Sequence, residues 1–272
     1  MKSIFYVLLL SIVASGCQQK KDNEKTLVAR EVTAAENFNQ FSADKKNILS
    51  IFQNKDSEVK KRADRLPNAA YHVKLADTAI SIQMNADDKN SVVNTFSFAE
   101  FLNTQKTCLL VQVADNSGLV APFYVISLKD GQLEAVALYK ASKGKEDKKF
   151  TKGLDMIGRS AYLINNDYVL TGVNSKIYAV KRQNPGERIQ GKFFINSPDK
   201  ETLIFMVGSS LYEVHYPTGK VYTQALPAKI PAENVDLFKW IQDNYSWQHD
   251  ESGISYLKKN IDDNRIINIE DF

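Results

Sequence analysis

From Ala70 to Leu226 the chain is cut into short apolar runs by turn-forming residues, a rhythm that admits little besides antiparallel β-structure. Tyr124–Leu128 and Leu133–Tyr139 flank Asp130-Gly131, a dipeptide of the kind that closes hairpins. Tyr162–Ile164 and Tyr168–Thr171 flank Asn165-Asn166-Asp167, whose side chains tolerate left-handed backbone. Val73 and Leu75, then Ile80, Ile82 and Met84, alternate with polar residues but switch parity at Ala76-Asp77, which predicts a hairpin or a bulge. Cys108–Val113 is a further apolar strand. Ser97 and Glu100 have capping-box spacing and predict a short helix through Leu102. Ser142–Lys149 is charged, holds no apolar residue and is expected as an exposed loop.

The end of this region repeats itself. Tyr168–Gly186 and Leu203–Gly219 each read as apolar strand, small polar turn, aromatic-bearing strand and Pro-Gly turn, and aligning Ile177-Tyr178 on Leu211-Tyr212 gives an offset of 34 residues. These units resemble the strand-turn-strand elements of quinoprotein-type β-propeller repeats. The resemblance implies a small or partial propeller-like repeat domain as the second architecture, although a complete propeller needs about four or more blades.

Helical spacing flanks the β region. Ala34, Phe38, Phe41, Ile48, Phe52, Val59 and Leu66 recur at threes, fours and sevens, which predicts a helical segment over residues 33–67 closed by Pro67. Pro231 suits a first turn, and Val235, Phe238, Ile241 and Tyr245 predict a second helix. Ile254–Leu257 and Ile266–Ile269 are expected to add a last strand or short helix. The fold class is therefore α+β and mainly antiparallel β, with a meander or a sandwich- or barrel-like domain over residues 70–272 that includes the C-terminal helix.

The first seventeen residues concern location. Lys2 precedes a ten-residue run, Ile4–Val13, broken only by Ser11 and followed by small residues. A run so much shorter than the roughly 20 residues of a membrane-spanning helix reads as a cleaved signal peptide, residues 1–16. Val13-Ala14-Ser15-Gly16-Cys17 resembles the lipobox of bacterial lipoproteins, with Ala14 where leucine is usual. That resemblance implies lipidation of Cys17, which would become the mature N-terminus. Residues 17–32 are then expected to be the lipidated cysteine and a flexible tether, opened by the polar run Gln18–Lys25. Gln18, in place of the aspartate that signals inner-membrane retention in enteric-type lipoproteins, favours the outer membrane, facing the periplasm.

Chemical motifs are sparse. The formal net charge of +3 is nearly balanced and points to neither nucleic acid nor an anionic surface. Cys17 and Cys108 are the two cysteines, and Cys108, in the apolar run TCLLVQV, reads as a core residue. His72, His215 and His249 share no metal-ligand spacing. There is no GxSxG and no GxxxxGK[ST]. Ser142-Lys143-Gly144-Lys145 spells SxxK, but in a charged loop. No catalytic residue, metal or cofactor is expected.

The expected role is that of an envelope lipoprotein acting by protein–protein interaction, in assembly, as an accessory subunit or in neutralising an effector. Trp240, Trp247, Tyr178, Tyr212, His215 and Tyr222 are the candidate contact residues. An envelope hydrolase or ligand receptor, with a site gathered from distant residues, is the alternative.

Overall fold

The computed structural model describes residues 23–32, 34–39, 48–53, 70–114, 121–129, 131–140, 143, 153–172, 175–227 and 236–260. It is mostly β, in antiparallel sheets that include a seven-stranded barrel, with one helix among the described residues.

The first strands are β1 (Asn23–Glu31), the two-residue β2 (Glu36–Asn37) and β3 (Leu49–Gln53). The strands β4 (Tyr71–Leu75) and β5 (Thr78–Gln83) form a hairpin about Ala76-Asp77, with Leu75 opposite Thr78. Short β6 (Val92–Val93) leads into β7 (Phe96–Phe101), and β8 (Cys108–Val113), β9 (Phe123–Lys129) and β10 (Gln132–Ala137) continue as a meander. The barrel closes in the order β4-β7-β8-β9-β10-β1-β5 and back to β4, while β3 and β6 extend it beside β4 and β5. Strand β1 runs parallel to both its neighbours, β10 and β5; the other pairs are antiparallel. Period-two alternation sends Leu27, Leu49, Val73, Ile80, Ile82, Leu109, Val111 and Ile126 inward, with Phe96 among them. Each such side chain contributes about 1.5–3 kcal/mol by leaving water.

Three layers follow on one side of the barrel. In the second sheet, β11 (Leu154–Ile157), β12 (Ala161–Ile164), β13 (Tyr168–Thr171) and β14 (Lys176–Ala179) form a meander whose last strand pairs with β2. A third sheet is the meander β15 (Lys192–Asn196), β16 (Thr202–Val207), β17 (Ser210–His215) and β18 (Lys220–Ala225). Last come α1 (Leu237–Asn244) and the hairpin β19 (Tyr245–His249) and β20 (Ser255–Lys259). Cys108, Leu110, Val125 and Val136 on the outer barrel wall pack against Ile164, Leu170 and Ile177 of the second sheet. The other face of that sheet gives Leu163 and Val169 to a core with Phe205, Tyr212 and Val214. The far face of the third sheet gives Ile204 and Leu211 to a core with Ile241, Tyr245 and Leu257.

The turn Asn165-Asn166-Asp167 joins these layers. Asn165 and Asn166 have φ of 56° and 57°, a conformation asparagine tolerates better than most residues. Asn165 Nδ2 donates to Leu138 O (3.1 Å), beyond the end of β10, and Asn166 Nδ2 donates to Ile189 O (3.1 Å) and Gly191 O (2.9 Å), ahead of β15.

Several expectations require correction. Residues 23–31, expected within the tether, are the barrel strand β1; Leu27 and Ala29 alone face the core, so polar outward residues mask the alternation. Within the expected helix of residues 33–67, Glu36–Asn37 and Leu49–Gln53 are strands, because Leu49 and Ile51 alternate with Ser50 and Phe52 once β4 lies beside them. Residues 33, 40–47 and 54–67 of that expected helix lie outside the described residues, as do Cys17 and the signal peptide. Residues 96–101 are strand β7, and Glu100 accepts a hydrogen bond from Tyr162 Oη at 2.8 Å in place of capping a helix. Helix α1 opens after Asp236, whose carboxylate accepts from Phe238 N (3.0 Å) and Lys239 N (3.3 Å), and Tyr245 already belongs to β19; Pro231 and Val235 lie outside the described residues. The 34-residue offset pairs unlike strands, since β13–β14 are third and fourth in their sheet and β16–β17 are second and third.

Candidate functional site

The second sheet covers the barrel at β8, β9 and β10, while β3, β4, β5, β6 and β1 form the remaining wall. With Leu49, Ile51, Val73, Ile80, Ile82 and Leu27 directed inward, alternation turns Phe52, His72, Lys74, Ser81, Gln83 and Val28 outward. Of the large apolar side chains exposed among the described residues, Val28, Phe52, Met84 and Val92 lie on this wall, leaving Met156 and Phe238 elsewhere. Phe52 is 49 % exposed.

A groove of about 530 Å³ crosses the wall, lined by Glu24, Phe52, Gln53, His72, Lys74, Ala79 and Asn94. Its floor follows from register. Ser50, Lys74, Ala79 and Glu24 form one row across β3, β4, β5 and β1, so the small Ala79 lies between a cation and an anion. The ammonium of Lys74 sits 5.5 Å from the centre of the Phe52 ring, and Phe52 lies directly opposite His72, whose Nδ1 is 2.9 Å from Asn94 O. Glu24 accepts a hydrogen bond from Ser81 Oγ. The groove thus presents an aromatic face and one charge of each sign on either side of the small Ala79.

The residues selected from sequence lie elsewhere, divided between the two faces of the third sheet. Tyr212, 3 % exposed, faces the second sheet and donates to Lys181 O at 3.2 Å; burial raises its phenol pKa. Tyr178 packs against the same core, edge-on to Tyr216 with centroids 5.0 Å apart, and Lys176 Nζ lies 4.6 Å from its centre. His215 and Tyr222 belong to the opposite face with Glu213, which Tyr222 faces in register. His215, 6 % exposed, is held between Thr218 Oγ1 (2.8 Å) and Glu201 Oε2 (3.3 Å). Tyr222 stacks on Tyr256 and donates to Asp250, which also binds Lys220. Trp240 and Trp247 are half-buried against the core of α1 and the last hairpin. The four-residue group Tyr178, Tyr212, His215 and Tyr222 therefore lines no common pocket, because successive strand residues point to opposite faces.

A second cavity, about 500 Å³, opens where Lys140, Tyr168, Lys181, Arg182 and Asn184 surround Asp167. Arg182 Nε donates to Asp167 Oδ1 (3.1 Å) and Arg188 Nε to Oδ2 (2.8 Å), and both guanidiniums also donate to Lys140 O. Burial pushes the Asp167 carboxyl up to about 6 and draws Arg188 down to about 10, so this pair is charged at neutral pH. Their hydrogen bonds join the segments that follow β10 and β14, which makes them a structural clamp.

Sequence reasoning missed Phe52, His72 and Lys74. The available signal was the alternation of Leu49 and Ile51 with Ser50 and Phe52, obscured by the longer helix-like spacing around it. No protein-family model and no curated protein sequence matches this chain.

Proposed function

We propose that this protein is a lipid-anchored lipoprotein of the bacterial envelope, at the outer membrane and facing the periplasm, that acts by binding another protein through the open barrel wall. The observation that carries the reading is the concentration of exposed large apolar side chains, Val28, Phe52, Met84 and Val92, on the half of the barrel that no sheet of the described residues covers. Assembly, accessory and effector-neutralising roles all use such a surface and need no catalysis.

The anchor adds a geometric reason. With β1 starting at Asn23, six Cα steps separate it from Cys17, a reach of no more than about 21 Å. Acyl chains on Cys17, each buried methylene worth about 0.8 kcal/mol, would keep the barrel end at Asn23 and Ala76-Asp77 close to the bilayer. Glu24, at the edge of the groove, is the second residue of that strand. A partner in the groove would therefore belong to the same membrane surface.

As architecture, we read β7–β10, β11–β14 and β15–β18 as three successive propeller-like meanders, the first built into the barrel wall. Their consecutive four-strand order supports this reading over a single sandwich.

Crosslinked capture from envelopes tests the function. The wild-type chain should recover one protein in stoichiometric amount, and Phe52→Glu should lose it without a change in unfolding midpoint. Equal recovery by both forms, or recovery of abundant porins alone, would refute the reading. Fatty-acid labelling of wild type but not of Cys17→Ala tests the anchor; two unlabelled, soluble forms would remove it. A ligand-binding receptor is the second reading, favoured by the cavity beside Asp167, and a thermal-shift screen of small anions gives it a separate test.

A further inference from the structure

The last hairpin meets the third sheet in an unusual way. Asp250 N donates to Ile254 O (3.0 Å) and Asn260 N to Asn244 O (2.7 Å), so the intervening Ser255 and Leu257 turn their backbone groups away from β19. Side chains on the face of the third sheet receive that edge. Thr202 Oγ1 donates to Ser255 O (2.6 Å), Glu213 Oε2 accepts from Leu257 N (2.9 Å), and Gln224 Nε2 donates to Leu257 O (2.6 Å). Glu213 and Gln224 thus reproduce, with side chains, the acceptor and donor that a neighbouring strand would offer. They are themselves hydrogen-bonded, Gln224 Nε2 to Glu213 Oε1.

Glu213 is wholly buried in this seam, among Ile204, Leu211, Ile241, Tyr245 and Leu257. No cationic side chain among the described residues bonds to it. His215, two residues along the same face, is taken by Thr218 and Glu201. On β18, Tyr222 and Lys220 both bind Asp250 of the hairpin. Tyr256 stacks on Tyr222, Asp199 accepts from Ser255 Oγ, and Tyr245 is the titratable group of β19 beside Glu213. On α1, Lys239 and Asp243 pair with each other in solvent.

We propose that Glu213 makes the C-terminal hairpin a proton-operated latch, closed while the carboxyl carries its proton and loosened when the proton leaves. The protonated group adds no charge to the seam, and both its oxygens still carry lone pairs for the Leu257 and Gln224 N–H donors. Ionisation places an uncompensated carboxylate against apolar neighbours, and its hydration then favours lifting β20 from the sheet. Burial pushes the carboxyl up to about 7, against the two hydrogen bonds that favour the anion. The closed form therefore binds more protons than the open form between the ordinary carboxylate range and neutrality. Its stability is complete below that range and is lost as pH rises through about 7.

The test is amide hydrogen exchange of the full chain between pH 5 and pH 8, corrected for intrinsic exchange rates. Amides of β19–β20 should lose protection by roughly ten- to a hundredfold relative to those of β12–β13, and Glu213→Gln should abolish the difference. Equal pH dependence in the two forms, or parallel loosening of β12–β13, would overturn the latch. If the substitution prevents folding, the wild-type carboxyl decides: a carbon-13 titration midpoint for Glu213 near 7 sustains the proposal and one below 5 refutes it.

Discussion

Arg188 and Asp167 form an ion pair almost wholly withdrawn from solvent, with Nε and Oδ2 2.8 Å apart. The carboxylate also holds Arg182, so one side chain anchors two arginines near the junction of the second and third sheets. Asp167→Ala would take the shared carboxylate away from both guanidiniums and should cost about 3 kcal/mol. Urea unfolding measures that loss directly.

Arg30 joins β1 to two other strands, with two bonds to Glu36 of β2 (2.9 and 2.7 Å) and one from Nε to Glu134 of β10 (2.9 Å). A lysine cannot make the forked contact, so Arg30→Lys should lose about 1 kcal/mol, a modest figure because the arginine is partly solvated. The hydrogen bond from Arg30 holds the Glu36 carboxyl below its ordinary range. Its contribution is therefore complete at neutral pH and is lost as acid brings the pH down through that range to the lowered value. A chemical-unfolding series from pH 7 to pH 3 should show the gap between wild type and Arg30→Lys closing as pH falls.

Gly191 marks a close approach of backbone to backbone. A Cβ there would lie 2.3 Å from Met206 O and 2.6 Å from Val207 Cγ2, and Gly191 O is the acceptor for Asn166. Gly191→Ala should destabilise by about 1–3 kcal/mol and lower the thermal midpoint by several degrees. Gly131→Ala, at an open hairpin turn with φ of +74°, meets no neighbour and should cost only the backbone strain of about 1 kcal/mol.

Cys108 is buried between the barrel wall and the second sheet, and burial pushes its thiol well above the ordinary range. In a Cys17→Ala chain, an aromatic disulfide reagent should label no thiol under native conditions and one in guanidinium. Rapid native labelling would show that the two layers separate.

The β region from Ala70 to Leu226 was legible because its turns carry their own chemistry. Asn165 and Asn166 adopt the left-handed backbone that their side chains permit, and the strands beside Ala76-Asp77 and Gly131 pair as their alternation predicts. Residues 23–31, 36–37 and 49–53 were misread for an equally physical reason. Leu27 and Ala29 of β1 are two inward residues in a polar segment, and only parallel partners on both sides make them a strand. Tyr212 and His215 were legible as strand residues, but their depth was not, since burial depends on which layers stack on each face.

Sequence alone determined the alternation, the turns, the absence of familiar catalytic motifs and the lipobox resemblance, because each is written in neighbouring residues. Tertiary structure decided that the strands close into a barrel, that the second sheet covers one half of its wall and leaves Phe52 on the other, and that Glu213 meets Leu257. Those outcomes depend on pairings between residues tens of positions apart. Register and layer order arise from the summed burial of many side chains, and no short stretch of chain encodes that sum.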